Sequence, residues 1–323
     1  MGLLMKLTYL YHSGFLLETE HYYLLLDYFL DGYAPESVHV DKGGLVRAIG
    51  PLGSSELIVQ DELETLEALE ITAPKACYPG VIGSLWPKLN KPCYILCSHY
   101  HKDHFLPFVL ELFKYAAKRR SQDSSFPQVN LIFSSDIKKY RSKRCAPYKD
   151  EICFLQKGQC YEDDFIKVQA HGSTDVGSSF AISLKDEELN VFHAGDFNYW
   201  HWQEESTQEE ITKSHEFFLS ELEPIVKSHP SFDVIMFPCD MRMVSDICAG
   251  AAQFCQRINC RLLVPMHVIE RPDLVLSALY DNELLQSAIV HYEPAKRINE
   301  LKLSSQLQVW LPENSGDSCN IFN

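Results

Sequence analysis

The amino-acid sequence predicts an α/β fold of layered sheets with helices on the outside. Two features carry that expectation. Short apolar runs with strand-like alternation open the chain, and beyond about residue 93 strand-like runs alternate with helical segments in both halves. At 323 residues, with 46% hydrophobic and 23% charged content, the chain has the composition of an ordinary globular protein and the length for a large core. It reads as one domain over 1–323, with an insertion at about 31–91 and an extension after about 270.

The elements follow in order. Leu7–Tyr11 alternates and breaks at His12-Ser13-Gly14, and Phe15–Leu17 and Tyr22–Leu26 follow, so a β-meander ending at Asp27 is expected. Residues 31–91 are irregular, punctuated by Gly43-Gly44 and Pro79-Gly80, and the acidic stretch Asp61–Glu70 predicts a short helix. Cys93–Cys97 is a buried strand, Leu110–Lys118 a helix and Val129–Phe133 the next strand. Three short strands are expected at Phe165–Ala170, Phe180–Leu184 and Asn190–His193, then a long amphipathic helix over Gln208–Val226. Strand Val234–Phe237, helix Ala249–Ile258, strand Leu262–Val264 and a last apolar run at Gln308–Leu311 complete the series.

Composition narrows the function classes. A formal net charge of −15 disfavours general adhesion to nucleic acid or anionic membrane. No apolar stretch reaches the ~20 residues needed to cross a bilayer, and the N-terminus lacks the parts of a secretory signal. Eleven scattered cysteines with no Cys-x-x-Cys pair suit free thiols in a reducing, cytoplasmic setting. One segment breaks the acidic trend. Residues 114–149 hold ten Lys and Arg against Asp123 and Asp136 alone, either a solvated surface or a positive rim for an anionic substrate.

The densest chemistry lies at Ser98-His-Tyr-His-Lys-Asp-His104, directly after the strand Cys93–Cys97. Imidazole and carboxylate are the ligands of zinc and similar divalent metals. His99 and His101, two apart on extended chain, point the same way and can grip one ion. Asp103 and His104 can turn toward a second ion. Four groups do not saturate two ions, so further ligands are expected at later strand ends. His171 after Val168-Gln-Ala, Asp196 after Val191-Phe-His-Ala-Gly and His267 after Leu262-Leu-Val-Pro-Met qualify, and a carboxylate such as Asp196 can bridge two cations.

This order of motifs resembles the metallo-β-lactamase-fold hydrolase superfamily, over a span from the opening meander to about His267. Tyr11-His-Ser-Gly-Phe15 with Asp27, and Phe192-His-Ala-Gly-Asp-Phe-Asn-Tyr-Trp-His-Trp202, are similar to its ascorbate-6-phosphate lactonase-like branch. The resemblance implies an αββα sandwich with the metal site at one edge between the sheets. It further implies that His99, His101 and His171 hold one metal, that Asp103, His104 and His267 hold a second, and that Asp196 bridges them. Where members usually carry Gly-His-Thr, this chain has His171-Gly-Ser-Thr-Asp175, so a slip of alignment would leave His171 beside the site and make Asp175 a substitute ligand.

The expected activity is hydrolysis by a metal-activated hydroxide at a one- or two-metal site, because a bound divalent ion lowers the pKa of water from 15.7 to about 7. Zinc is the expected cofactor, with manganese or iron as options for the same ligands. Asp103 is a candidate to orient or deprotonate the water, and His12, Trp200 and His201 are candidates for the substrate pocket, with His193 behind a ligand. The expected partner is a small anionic ester, lactone or phosphodiester. A metal-dependent nuclease, favoured by the basic segment and opposed by the net charge, and a metal-binding protein with little catalysis are the alternative readings.

Overall fold

The computed structural model describes residues 3–29, 31, 38–40, 46–48, 80–201, 205–268, 271–286 and 299–323. The opening meander is β1 (Leu3–Tyr11), β2 (Gly14–Glu18) and β3 (Tyr23–Leu26). A separate two-stranded hairpin, β4 (Val38–Val40) with β5 (Val46–Ala48), lies in the expected insertion, followed by the short helix α1 (Val81–Leu85). The acidic stretch 61–70 lies outside the described residues. Next come β6 (Cys93–Cys97), α2 (Phe108–Gln122), β7 (Val129–Ser134), α3 (Ser135–Tyr140), α4 (Ser142–Cys145) and β8 (Ile152–Leu155). The second half runs β9 (Cys160–Glu162), β10 (Ile166–His171), β11 (Ser179–Leu184), β12 (Leu189–His193), α5 (Gln208–Ser228), β13 (Ser231–Pro238), α6 (Ala249–Arg257), β14 (Asn259–Met266) and α7 (Pro272–Asp281). Strands β15 (Glu300–Lys302), β16 (Gln308–Val309) and β17 (Ser318–Phe322) close the chain.

These strands form an eight-stranded sheet, β15-β17-β1-β2-β3-β6-β7-β8, and a seven-stranded sheet, β16-β14-β13-β12-β11-β10-β9. The meander is antiparallel, whereas β3, β6, β7 and β8 run parallel, as do β12, β13, β14 and β16. Strand alternation divides each central strand between two cores. Leu24, Leu26, Tyr94 and Leu96 enter one core with Val168, Ile182 and Val191 of the other sheet. Tyr23, Leu25, Cys93, Ile95 and Cys97 enter a second core with Trp86, Val109, Leu112 and Ala116 of the helical layer. Phe218, Leu222 and Ile225 of α5 and Phe254 of α6 cover the second sheet. The result is the expected pair of sheets with helices on both outer faces. Among the described residues no helix is long and apolar enough to cross a membrane.

Two features of local chemistry set the elements that flank the site. Thr207 caps α5 by accepting from Glu210 N, while Glu210 Oε2 accepts from Thr207 N at 2.7 Å, a reciprocal box that fixes where the helix begins. The C-terminal strand β17 pairs with β1, so the meander carrying His12 is flanked on both sides rather than left as a sheet edge. Because β3 is parallel to β6, and β12 to β14, the carboxyl ends of β3 and β6 gather at one edge of their sheet, as those of β12 and β14 do in theirs. Ligand sites in α/β sheets form at such ends.

Candidate metal centre

Three strand ends, the β10–β11 loop and one hairpin turn supply the centre. Past β6 the chain turns through Ser98 and presents His99, His101, Asp103 and His104 within one loop. Past β12, Gly195 at φ +55° allows the turn that delivers Asp196; a Cβ there would lie 2.8 Å from the Ser98 side chain. His267 follows β14 and His12 forms the β1–β2 turn, at φ +61° and +59°. Both are in the left-handed region that non-glycine residues seldom adopt, and they are tied together, His267 N donating to His12 O at 3.0 Å.

The side chains converge in two groups. His12, Asp103, His104 and His267 bring one ligand atom each within 4.8 Å of one another, and so do His99, His101, Asp175 and Asp196. Asp196 stands between the groups. Its Oδ2 lies 3.3 Å from His99 Nε2, while Oδ1 lies 3.1 Å from His104 Nε2 and 3.6 Å from His267 Nε2. A carboxylate with one oxygen turned to each cluster is placed to bridge two cations.

Hydrogen bonding tests whether these residues fit metal ions. His12 Nε2, His104 Nε2 and Asp196 Oδ1 are buried with no hydrogen-bond partner. Buried polar atoms are rarely left so, and cations held by the two groups would satisfy all three. The far ring nitrogens are by contrast engaged. His104 Nδ1 lies 2.7 Å from Asp27 Oδ2, and His267 Nδ1 lies 2.8 Å from Asp240 Oδ2. A carboxylate on Nδ1 holds the proton there and leaves Nε2 as a lone-pair donor aimed inward. Asp27 is itself fixed by Ser98, whose N and Oγ each donate to it at 2.6 Å. The donor set fits two divalent cations.

The electrostatics agree. Burial would raise the pKa of Asp196, but His104, His267 and His99 outweigh it and hold the carboxyl well below the usual range. Burial likewise opposes the charge on His104, yet Asp196 and Asp27 raise its pKa well above the ordinary histidine value, so a cation bound at Nε2 would take the place of a proton there. The centre thus draws positive charge inward. His12 goes the other way: burial and neighbouring His267 push it down to about 4, which leaves its Nε2 neutral and available near pH 7. His101, Asp103 and Asp175 are 37%, 39% and 41% exposed, whereas His99 and His104 are sealed, so the site opens to solvent along the first three.

Most of the expected site residues therefore meet: His99, His101, Asp103, His104, Asp196 and His267 share one centre. His171 does not. Its Nε2 lies 3.1 Å from His229 Nε2, and Asp175 occupies the place expected of it. The reason is strand register. Ile166, Val168 and Ala170 face the inter-sheet core, so His171 points to the opposite face, where α5 packs and His229 follows it. His12, expected at the substrate pocket, joins the ligand group instead. His201 lines no opening: it is buried, with Nδ1 on Tyr199 O at 3.0 Å and Nε2 on Asp246 Oδ2 at 2.8 Å. Trp200 stays beside the centre, its ring 5.6 Å from His267 and its Nε1 donating to Asp196 O at 2.7 Å, while Trp202 lies outside the described residues. His193 sits behind it, Nε2 on Ser13 O at 3.0 Å. Sequence reading passed over Asp27 as a ligand support and over Asp240 altogether. Each is a carboxylate at the end of an apolar strand, the signal that singled out Asp196.

The displaced His171 has a pH consequence. Burial, then His229, lowers its pKa from 6.5 to about 4. The unfolded chain therefore binds this proton first as pH falls, so stability is full above about pH 6.5 and declines toward pH 4. Denaturant melts at pH 7.5 and 5 should show wild type losing about 2 kcal/mol more than His171→Gln. Equal losses would show that this ring does not titrate as described.

The sequence pattern of the beta-lactamase superfamily domain matches residues 6–267. No curated protein matches the chain significantly. Among solved structures, one described as a possible metal-dependent hydrolase from Veillonella parvula is similar with a TM-score of 0.50 at 11% identity, over 99% of this chain and 100% of that one. Igni18, a metallo hydrolase from Ignicoccus hospitalis, gives 0.48 at 12% over 97% of both chains. YhfI, a metallo-beta-lactamase fold protein from Bacillus subtilis, gives 0.48 at 13% over 97% and 98%. At these identities the likeness is one of fold.

Proposed function

The chain belongs to the beta-lactamase superfamily, and from that premise we propose that it is a metal-dependent hydrolase of a small anionic ester, lactone or phosphodiester. The observation that carries this reading is that His12 Nε2, His104 Nε2 and Asp196 Oδ1 are buried and unpartnered within the two ligand groups. His12, Asp103, His104 and His267 would hold one cation, His99, His101 and Asp175 the other, with Asp196 between. Bound divalent cations supply activation of water near neutral pH and neutralisation of charge developing on the scissile group.

The chain's own residues do the rest. Asp27 and Asp240 keep His104 and His267 in the tautomer that donates from Nε2. Asp103 Oδ2, 3.2 Å from His12 Nε2 and on the open side, is placed to orient the attacking water and hold its proton. Its carboxyl stays ionised because the close approach of His12 and the charge of His104 outweigh burial. Zinc is the proposed metal, since the ligands are imidazole and carboxylate only. The similarity of Tyr11–Phe15 and Asp27 to the ascorbate-6-phosphate lactonase-like branch favours a small anionic substrate. Ten free cysteines among the described residues support a cytoplasmic setting.

The test is elemental analysis of the protein as purified, alongside turnover of lactone, thioester and phosphodiester panels. His101→Ala should lower both metal content and turnover. Wild-type metal content in that variant, or a protein that takes up no divalent metal, would sink the reading.

A further inference from the structure

The ten basic residues of 114–149 divide in space. α2 starts beside the metal loop and runs 15 residues, about 22 Å, away from it, so Lys118, Arg119 and Arg120 end at the far side of the sheet, near the start of β7. Lys138, Lys139, Arg141, Lys143 and Arg144 belong to α3, α4 and their junction, at the carboxyl end of β7, and this is the end that faces the centre.

That basic group is bolted to the metal loop through Tyr100. Tyr100 N donates to Asp136 Oδ2 at 2.9 Å, and Arg141 Nε donates to Tyr100 O at 3.0 Å. The Tyr100 ring contacts His101 on one side, centroids 4.6 Å apart, and Tyr140 on the other, at 4.4 Å. Tyr140 is 52% exposed, the most exposed of the large aromatic side chains described. Lys139 Nζ stands 4.7 Å over its ring and Arg141 Cζ 5.5 Å from that of Tyr100. No carboxylate pairs with Lys139, Lys143 or Arg144 among the described residues. A ladder of rings flanked by Lys139 and Arg141 thus leads from a residue of the centre to solvent.

A sugar phosphate or lactone has no use for such a ladder, because cations alone recognise its charge. Exposed tyrosines stack flat bases, and adjacent ammonium and guanidinium groups take phosphate. We propose that Tyr100 and Tyr140, with Lys139 and Arg141, form a nucleotide subsite that presents a nucleoside phosphate ester to the metal centre. The proposal rests on the hydrolase reading for the use made of the bound ester, though not for the binding itself. The base stacks on Tyr140, displacing the exposed Lys139 head toward the phosphate. A polymer is the lesser fit, because the positive patch is one short rim on a chain of net charge −15.

Calorimetric titration of the metal-loaded protein with adenosine 5′-monophosphate and with ribose 5-phosphate, which lacks only the base, tests this. Adenosine 5′-monophosphate should bind about tenfold more tightly. Tyr140→Ala should erase that ratio and Tyr140→Phe keep it, both with wild-type metal content. Equal affinities in wild type, or a ratio that survives Tyr140→Ala, would overturn the subsite. So would an octa-adenylate strand binding far more tightly than the mononucleotide with a steep salt dependence, which would assign the rim to nucleic acid. A base preference without turnover of any ester leaves the subsite standing and removes the hydrolase reading. Turnover of a lactone without a base preference does the reverse.

Discussion

Asp196→Asn is expected to lose at least one equivalent of metal per chain and more than about 100-fold in turnover. Among the described residues only Asp196 turns one oxygen toward His99 and the other toward His104 and His267. An amide keeps the shape, but it removes the charge that offsets repulsion between two cations and leaves one weak oxygen donor. The comparison that gives this meaning is Asp27→Asn. Asp27 touches His104 Nδ1 and the Ser98 backbone, so its loss acts through ligand orientation, and about 10- to 100-fold in metal affinity is the expected scale. Metal titration of both variants should rank Asp196→Asn as the more damaged. Wild-type metal content in Asp196→Asn would remove the bridging role.

Gly177→Ala should be the most damaging small substitution near the centre, at about 3 kcal/mol or more. Gly177 has φ +74°, and a Cβ there would lie 2.2 Å from Ser98 O and 2.4 Å from His99 Cβ. Neither neighbour can retreat cheaply. Ser98 O accepts from Ser178 N at 2.9 Å, and His99 is sealed in the protein with its Nε2 turned to Asp196. The change should lower the melting temperature by several degrees and reduce metal content together, because the loop that must move carries His99 and His101. Unchanged melting with lost metal would show that only the loop yielded, and unchanged values for both would refute the close approach.

Legibility differed by element. The buried strand Cys93–Cys97 was read to the residue, because an apolar run closed by Ser-His has one natural end. The long helix was read as starting at Gln208, and the structure confirms that start with the box on Thr207. Strands β4, β5, β8, β9, β15 and β17 and helices α1, α3, α4 and α7 went unseen. They are short or partly exposed, so their periodicity is weak, and β17 owes its existence to a partner, β1, more than 300 residues earlier.

The centre divides the same way. Local sequence by itself determined the heptapeptide Ser98–His104 and the carboxylate and imidazole at the ends of later strands, since a residue type at a strand terminus is a one-dimensional fact. Tertiary structure alone decided the rest. Whether β10 turns His171 toward the candidate centre or toward His229 depends on a register that one residue inverts. That His12 reaches Asp103 depends on a hairpin turn held against β14, and that Asp27 and Asp240 sit behind the ligands depends on which strands lie side by side. Donor chemistry is written along the chain, but which lone pairs share a point in space is set by sheet pairing and backbone turns.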